Sequence, residues 1–328
     1  MSGKIPKPPY EPGFAAFLAV LPTPSDILPE HIPGVRTAQD EAATLKTTLA
    51  NEPFTHEERA IPGPNGPVTL SIFRPISSTH RRSGRPAIYY THSGGMICGN
   101  RFTGFKDVLR WGRETDAVCI TVEYRLSPEH PYPAPLEDCY TGLVWVSEHA
   151  EELGINPKQL IAAGQSAGGN IATAMTMLAR DRKGPKICAQ LLDSPMLDDR
   201  MDTNSSHQFV HEGSWSRGSN ETAWDAYLGS SRGKSDVSPY AAPSRATDVS
   251  GLPPAFISAG SSEVFRDECV AYAQKLWAAG VQAELHVWPG GFHLYDMLVP
   301  DDPVSRGSIE ARAAWVRRIL REPVKGKL

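Results

Sequence analysis

The run Gly164-Gln165-Ser166-Ala167-Gly168 places a hydroxyl among small residues, where an apolar stretch gives way to a helical one. A sharp turn at such a junction lifts the serine above a sheet edge as a nucleophile, and small residues at 164 and 168 let strand and helix approach closely. A Gly-rich turn that only packs has the same letters, so the partners decide. His92-Ser93-Gly94-Gly95 directly follows another apolar stretch. Consecutive glycines free backbone N–H groups to point at one spot, which suits an oxyanion. A serine nucleophile also needs a base and an acid to orient that base. Of ten histidines, His293 is singled out by its loop, residues 289–293, which follows the last predicted strand. The acid should follow the preceding strand, and residues 260–268 offer Glu263 and Asp267. Glu263 lies nearer the strand end, whereas Asp267 and Glu268 suit the first turn of a helix, whose dipole favours negative charge. Glu263 is favoured. Serine, acid and histidine in that chain order are the equipment of acyl transfer.

Positioning these residues requires alternating strands and helices. Val68, Leu70 and Ile72 alternate with Thr69 and Ser71, a strand pattern. Short runs rich in β-formers follow at 87–90, 117–122, 160–163, 189–192 and 255–258, and Ala283, Leu285 and Val287 alternate with polar residues in a last strand. Continuous apolar strands suit a sheet covered on both faces. Helical spacing appears at 105–115, 136–153, 166–180, 265–279 (with Gly280 as its stop) and 305–321. An earlier helix is expected over 37–51, with Thr37 as N-cap and Asp40 and Glu41 in its first turn. Residues 1–35 are Pro-rich without a clear period. The rhythm predicts an α/β chain around a mostly parallel, doubly wound sheet. It stops between Asp198 and Ser250, where Phe209, Trp215, Trp224, Tyr227 and Tyr240 stand among Ser, Gly and Asn. A long insert with that many aromatics reads as a lid or cap.

Composition narrows the possible functions. The chain has 328 residues, with 33 basic against 37 acidic side chains and a net charge of −4. That balance lacks the basic excess of a nucleic-acid binder. No apolar run reaches the ~20 residues needed to cross a bilayer, and prolines 6, 8, 9 and 12 break up any leader-like core near the start. The 28 glycines and 29 prolines point to many ordered turns. Cys98, Cys119, Cys139, Cys188 and Cys269 are scattered without a C-x-x-C pair, so they read as buried free thiols, and a cytoplasmic location is expected. No dinucleotide or Walker fingerprint is present, so no cofactor and no metal are expected.

On the stretches His92 to Gly95, Tyr124-Arg125-Leu126-Ser127-Pro128-Glu129, Gly164 to Gly169, Glu263 to Glu268 and Gly290 to His293, the chain resembles the hormone-sensitive-lipase-like α/β-hydrolases, and among them fungal esterases of secondary metabolism. The resemblance implies an eight-stranded sheet flanked by helices, with Ser166 as nucleophile, His293 as base and Glu263 where the family usually has Asp. It implies oxyanion donors at the N–H groups of Gly94, Gly95 and Ala167. It further implies a helical cap built from residues 1–50 and an insert at 198–240, leaving 51–197 and 241–328 as the hydrolase core, and relatives often dimerise through the last strand and helix. Trp215, Trp224 and Tyr227 would line an apolar pocket for a small or short-acyl ester. Two positions depart from the family pattern. Ser93 stands where a third glycine is usual, a source of strain if φ is positive there, and Gln165 stands where Asp usually precedes the nucleophile. Both are expected beside the oxyanion hole.

These departures keep a second reading open, a biosynthetic enzyme acting on a thioester or lactone or assisting a cyclisation. A third is a ligand-binding receptor on the same fold, but such receptors lack the histidine that this chain keeps at 293. The remaining candidates read more blandly. His207 and His211 have a helical i, i+4 spacing but no third ligand. Cys98 reads as a pocket wall, Asp198-Asp199-Arg200 as a solvated or hinge cluster, and Lys325 and Lys327 as a solvated tail.

Overall fold

A computed structural model describes residues 5–21, 26–76 and 84–321. Lys325 and Lys327 therefore lie outside the described residues. The chain opens with three helices, α1 (Pro12–Leu18), α2 (Ile32–Ala42) and α3 (Leu45–Leu49). Here the expected helix over 37–51 is corrected. Thr37 sits inside α2, its hydroxyl donating to the Pro33 carbonyl at 3.1 Å. The capping is done by Thr44, whose side chain accepts from the N–H of Thr47 at the start of α3. The aperiodic N-terminal stretch holds α1, closed at its start by Glu11 accepting from the Gly13 N–H at 2.6 Å.

Eight strands follow in one sheet: β1 (Phe54–Gly63), β2 (Gly66–Pro75), β3 (Arg85–Thr91), β4 (Val118–Glu123), β5 (Ile155–Gln165), β6 (Ala189–Asp193), β7 (Ala255–Gly260) and β8 (Ala283–Trp288). Their order across the sheet is β1-β2-β4-β3-β5-β6-β7-β8. The pairs β1–β2 and β2–β4 are antiparallel and all others parallel. Seven strands are those expected, five from apolar runs and β2 and β8 from alternation. β1 is not among them, because only Phe54 and Ile61 of its ten residues are buried and Glu57, Glu58 and Arg59 fill its middle.

The crossover helices are α4 (Phe105–Thr115), α5 (Ala134–Glu148) with α6 (Ala150–Leu153), α7 (Ala167–Asp181) and α10 (Arg266–Ala278), and α12 (Pro303–Ile319) follows the last strand. The helix expected over 136–153 is interrupted at His149. Between β6 and β7 lie α8 (Asn204–Gln208) and α9 (Arg217–Leu228), and α11 (Tyr295–Leu298) follows β8. Helices on both faces bury β3, β6 and β7 almost completely, which is why their sequences read as unbroken apolar runs. Among the described residues no helix is long and apolar enough to cross a membrane. All five cysteines are free, and four of them are buried.

Candidate active site

Four strand ends bring the expected residues together. β5 ends at Gln165 and α7 begins at Ala167, leaving Ser166 on the turn with φ 56° and ψ −120°. This conformation is strained for a non-glycine residue and aims the side chain out of the sheet edge. The neighbouring small residues make the turn possible: a side-chain carbon on Gly168 would stand 2.0 Å from the Thr91 carbonyl oxygen, and one on Gly164 would stand 2.1 Å from the Gly168 carbonyl oxygen.

His293 Nε2 lies 2.9 Å from Ser166 Oγ, and its Nδ1 lies 2.5 Å from Glu263 Oε2. An acceptor carboxylate fixes the tautomer: Nδ1–H donates to Glu263, leaving Nε2 to accept from the serine. All three side chains are almost sealed from solvent, at 2%, 3% and 1% exposure for Ser166, His293 and Glu263. The loops carrying the acid and the histidine are tied to each other. The N–H of Ser262 donates to the Gly291 carbonyl at 2.9 Å, and the N–H of Gly290 donates to Ser261 Oγ at 2.8 Å. Asp267, the other acid weighed, instead accepts from the Ser205 N–H at 2.8 Å at the start of α8. Glu268 accepts from the Leu197 N–H at 2.6 Å, and burial holds its carboxyl well above the usual carboxylate range.

The loop after β3 passes beside this group. Its positive φ values fall on Gly94 (120°), Gly95 (63°) and Met96 (59°), not on Ser93, so the strain expected at Ser93 is absent. Among the described residues no acceptor faces the N–H of Gly94 or Gly95. The N–H of Ala167 opens α7, where a helix has no internal acceptor to offer. The loop is braced from below and above. His92 stacks on Tyr124 with ring centroids 4.0 Å apart and places Nδ1 2.7 Å from the Ser93 carbonyl. Burial lowers the His92 pKa to about 4. From α2, Arg36 donates to the carbonyls of Ile97 and Ser127 at 2.7 and 2.8 Å and pairs with Glu129.

Gln165 faces the far end of the loop after β3 and the end of β6. Its Nε2 donates to Asp193 Oδ2 at 3.0 Å, and its Oε1 points at Gly104. Asp193 also pairs with the buried Arg312, which in turn meets Asp107 and Asp296. Sequence reading missed this cluster and Ser194 beside it. The available signal was the place of Asp193 and Ser194 at the C-terminal end of a strand, where sites in such sheets gather.

The three aromatics expected to line a pocket separate. Trp215 lies against Gly95, with its ring 6.4 Å from that of His293, and Ser214 Oγ donates to the His293 carbonyl. Phe265 meets the same imidazole edge-on at 4.9 Å. Trp224 and Tyr227 are fully buried on α9, where Tyr227 packs edge-on against Tyr132. Two further readings are corrected. Asp199 is not solvated but fully buried, paired with Arg245 and accepting from the Gly233 N–H at 2.7 Å. His207 and His211 share no helix face, since α8 ends at Gln208 and His211 turns to Asp26 at 2.7 Å.

Known proteins resemble the chain over most of its length. A family described as alpha/beta hydrolase fold matches residues 88–297. The carboxylesterase NlhH of Mycobacterium tuberculosis is 35% identical over 268 residues, 80% of this chain and 82% of its own. Among solved structures, a bacterial heroin esterase superposes with a TM-score of 0.88 at 36% identity, covering 95% of this chain and 98% of that one. The esterase LipW of Mycobacterium marinum superposes at 0.86 and 31% identity, covering 98% and 100%.

Proposed function

Because the chain belongs to the hormone-sensitive-lipase-like family of α/β-hydrolases and is a carboxylic ester hydrolase, we propose that Ser166, His293 and Glu263 are the triad through which it works. The observation that carries this reading is the unbroken line Ser166 Oγ, His293 Nε2, His293 Nδ1, Glu263 Oε2, with contacts of 2.9 and 2.5 Å in a buried site. Ser166 attacks the ester carbonyl as His293 takes its proton. The carbonyl oxygen becomes an oxyanion held by the N–H groups of Gly94, Gly95 and Ala167. His293 then gives its proton to the departing alcohol, leaving an acyl-serine. Water, deprotonated by the same imidazole, attacks the acyl carbon, and the proton returns to Ser166 as the acid leaves. Glu263 keeps the imidazole in the productive tautomer throughout.

α1 to α3 together with the segment carrying α8 and α9 act as the cap. Trp215 and Phe265 flank His293, the side from which the alcohol departs. Apolar, aromatic walls in a tight site suit small or short-acyl esters, including those with an aromatic alcohol, and one solved relative is named a heroin esterase. The resemblance to fungal esterases of secondary metabolism adds biosynthetic esters and thioesters to the natural substrates worth screening. The test is hydrolysis of p-nitrophenyl acetate through decanoate, with fluorophosphonate labelling. Ser166→Ala should lower kcat by about 10³-fold or more and abolish the label, and Glu263→Gln should also lose most activity. Wild-type turnover in Ser166→Ala would overturn the proposal.

A further inference from the structure

The end of β6 holds two adjacent residues that reach both halves of the site. Ser194 Oγ donates to Glu263 Oε1 at 2.9 Å, and the Gly260 N–H donates to the same oxygen at 2.7 Å. With Oε1 taken by two donors, Oε2 is the oxygen presented to His293. Ser194 is itself fixed. It is 2% exposed, its N–H donates to the Ser258 carbonyl at 2.7 Å, and its φ is 45°, a left-handed conformation that persists only where the surroundings over-determine it. One peptide bond earlier, the Asp193 carbonyl accepts the Ser166 N–H at 2.8 Å. The Asp193 carboxylate accepts from Gln165 Nε2 at 3.0 Å, from Ser258 Oγ at 2.6 Å and from Arg312 at 3.1 Å.

We infer that Ser194 is a positioning residue for acyl transfer, and that the Asp193–Ser194 dipeptide is the covalent tie that holds nucleophile and acid in one register. A carboxylate with two donors on one oxygen cannot turn about its terminal bond. Removing the serine hydroxyl leaves a buried oxygen short of one donor and lets the carboxylate turn away from the imidazole. Hydrogen bonds to charged groups are the strong ones, and a small misplacement of a catalytic group is costly. This inference rests on the triad proposed above.

The experiment compares Ser194→Ala and Ser194→Gly, each alone and in a Glu263→Ala background, by kcat, KM and melting temperature. Glycine suits the positive φ, so the second variant keeps the fold even if alanine does not. With Glu263 present, either variant should lower kcat by about 10- to 100-fold with KM nearly unchanged. With Glu263→Ala there is no carboxylate to orient, and the same substitution should cost nothing further. Wild-type kcat in Ser194→Gly, or an equal further loss in the Glu263→Ala background, overturns the positioning role. Wild-type activity in Glu263→Ala alone would instead overturn the triad.

Discussion

The indole of Trp215 lies so close to Gly95 that a side-chain carbon on that glycine would stand 2.5 Å from Cη2 of the ring. A residue between α8 and α9 thus rests on the backbone whose N–H is proposed to hold the oxyanion. Gly95→Ala must push the indole away or displace the loop, and it strains a φ of 63°. Activity should fall about 100-fold, the scale of losing one oxyanion donor. Trp215→Ala in the same protein should return part of it, which steady-state kinetics on p-nitrophenyl acetate would show. A double variant no better than Gly95→Ala would mean that Trp215 does not press on the loop.

Gln165 fills the place where the family resemblance implies Asp, and here a carboxylate would face one already present. Asp193 stands with Asp107 and Asp296 around a single Arg312. Burial already raises the pKa of both Asp107 and Asp296. Gln165→Asp replaces a donor to Asp193 with a like charge and should cost on the order of 2 kcal/mol at pH 8. The added acid would have a raised folded pKa, so the deficit should shrink as pH falls towards 5. Thermal melts at the two pH values measure this, and an equal or higher melting temperature at pH 8 would refute it.

His92 links acid stability to the loop proposed to hold the oxyanion. Its folded pKa of about 4 lies below the ordinary histidine value of 6.5 because burial disfavours the imidazolium. Between these values the unfolded chain binds a proton that the folded chain does not. The contribution is therefore fully present above pH 6.5 and is lost as pH falls through the window to 4, with an upper bound of about 3 kcal/mol. His92→Asn keeps a donor for the Ser93 carbonyl without the titration. Its stability should fall less steeply than the wild type between pH 6.5 and 4 in denaturant melts, and parallel curves would contradict the assignment.

Helix capping shows where local pattern misleads. Thr37 followed by acidic residues has the letters of a helix start, yet α2 begins at Ile32, with Pro33 in its first turn, and runs through Thr37. Thr44 and Thr47 form the capping pair that opens the next helix. β1 was missed for a related reason: an edge strand buries few residues and pairs through its backbone, which side-chain periodicity does not record.

That Ser166, His293 and an acid at 263 or 267 would lie near one another was legible because each follows a strand end, in an order that strand–helix alternation makes visible. The alternating apolar runs likewise determined the sheet, since burial on both faces leaves a composition that needs no contact map to read. Only the tertiary structure decided that Glu263 rather than Asp267 meets the imidazole, and that Ser93 escapes positive φ while Gln165 turns to Asp193. It also decided that Trp215, but not Trp224 or Tyr227, is set against both the oxyanion loop and His293. These outcomes depend on hydrogen bonds and close contacts between segments far apart in the chain, such as Ser194 with Glu263. Such pairings leave no period in the local sequence.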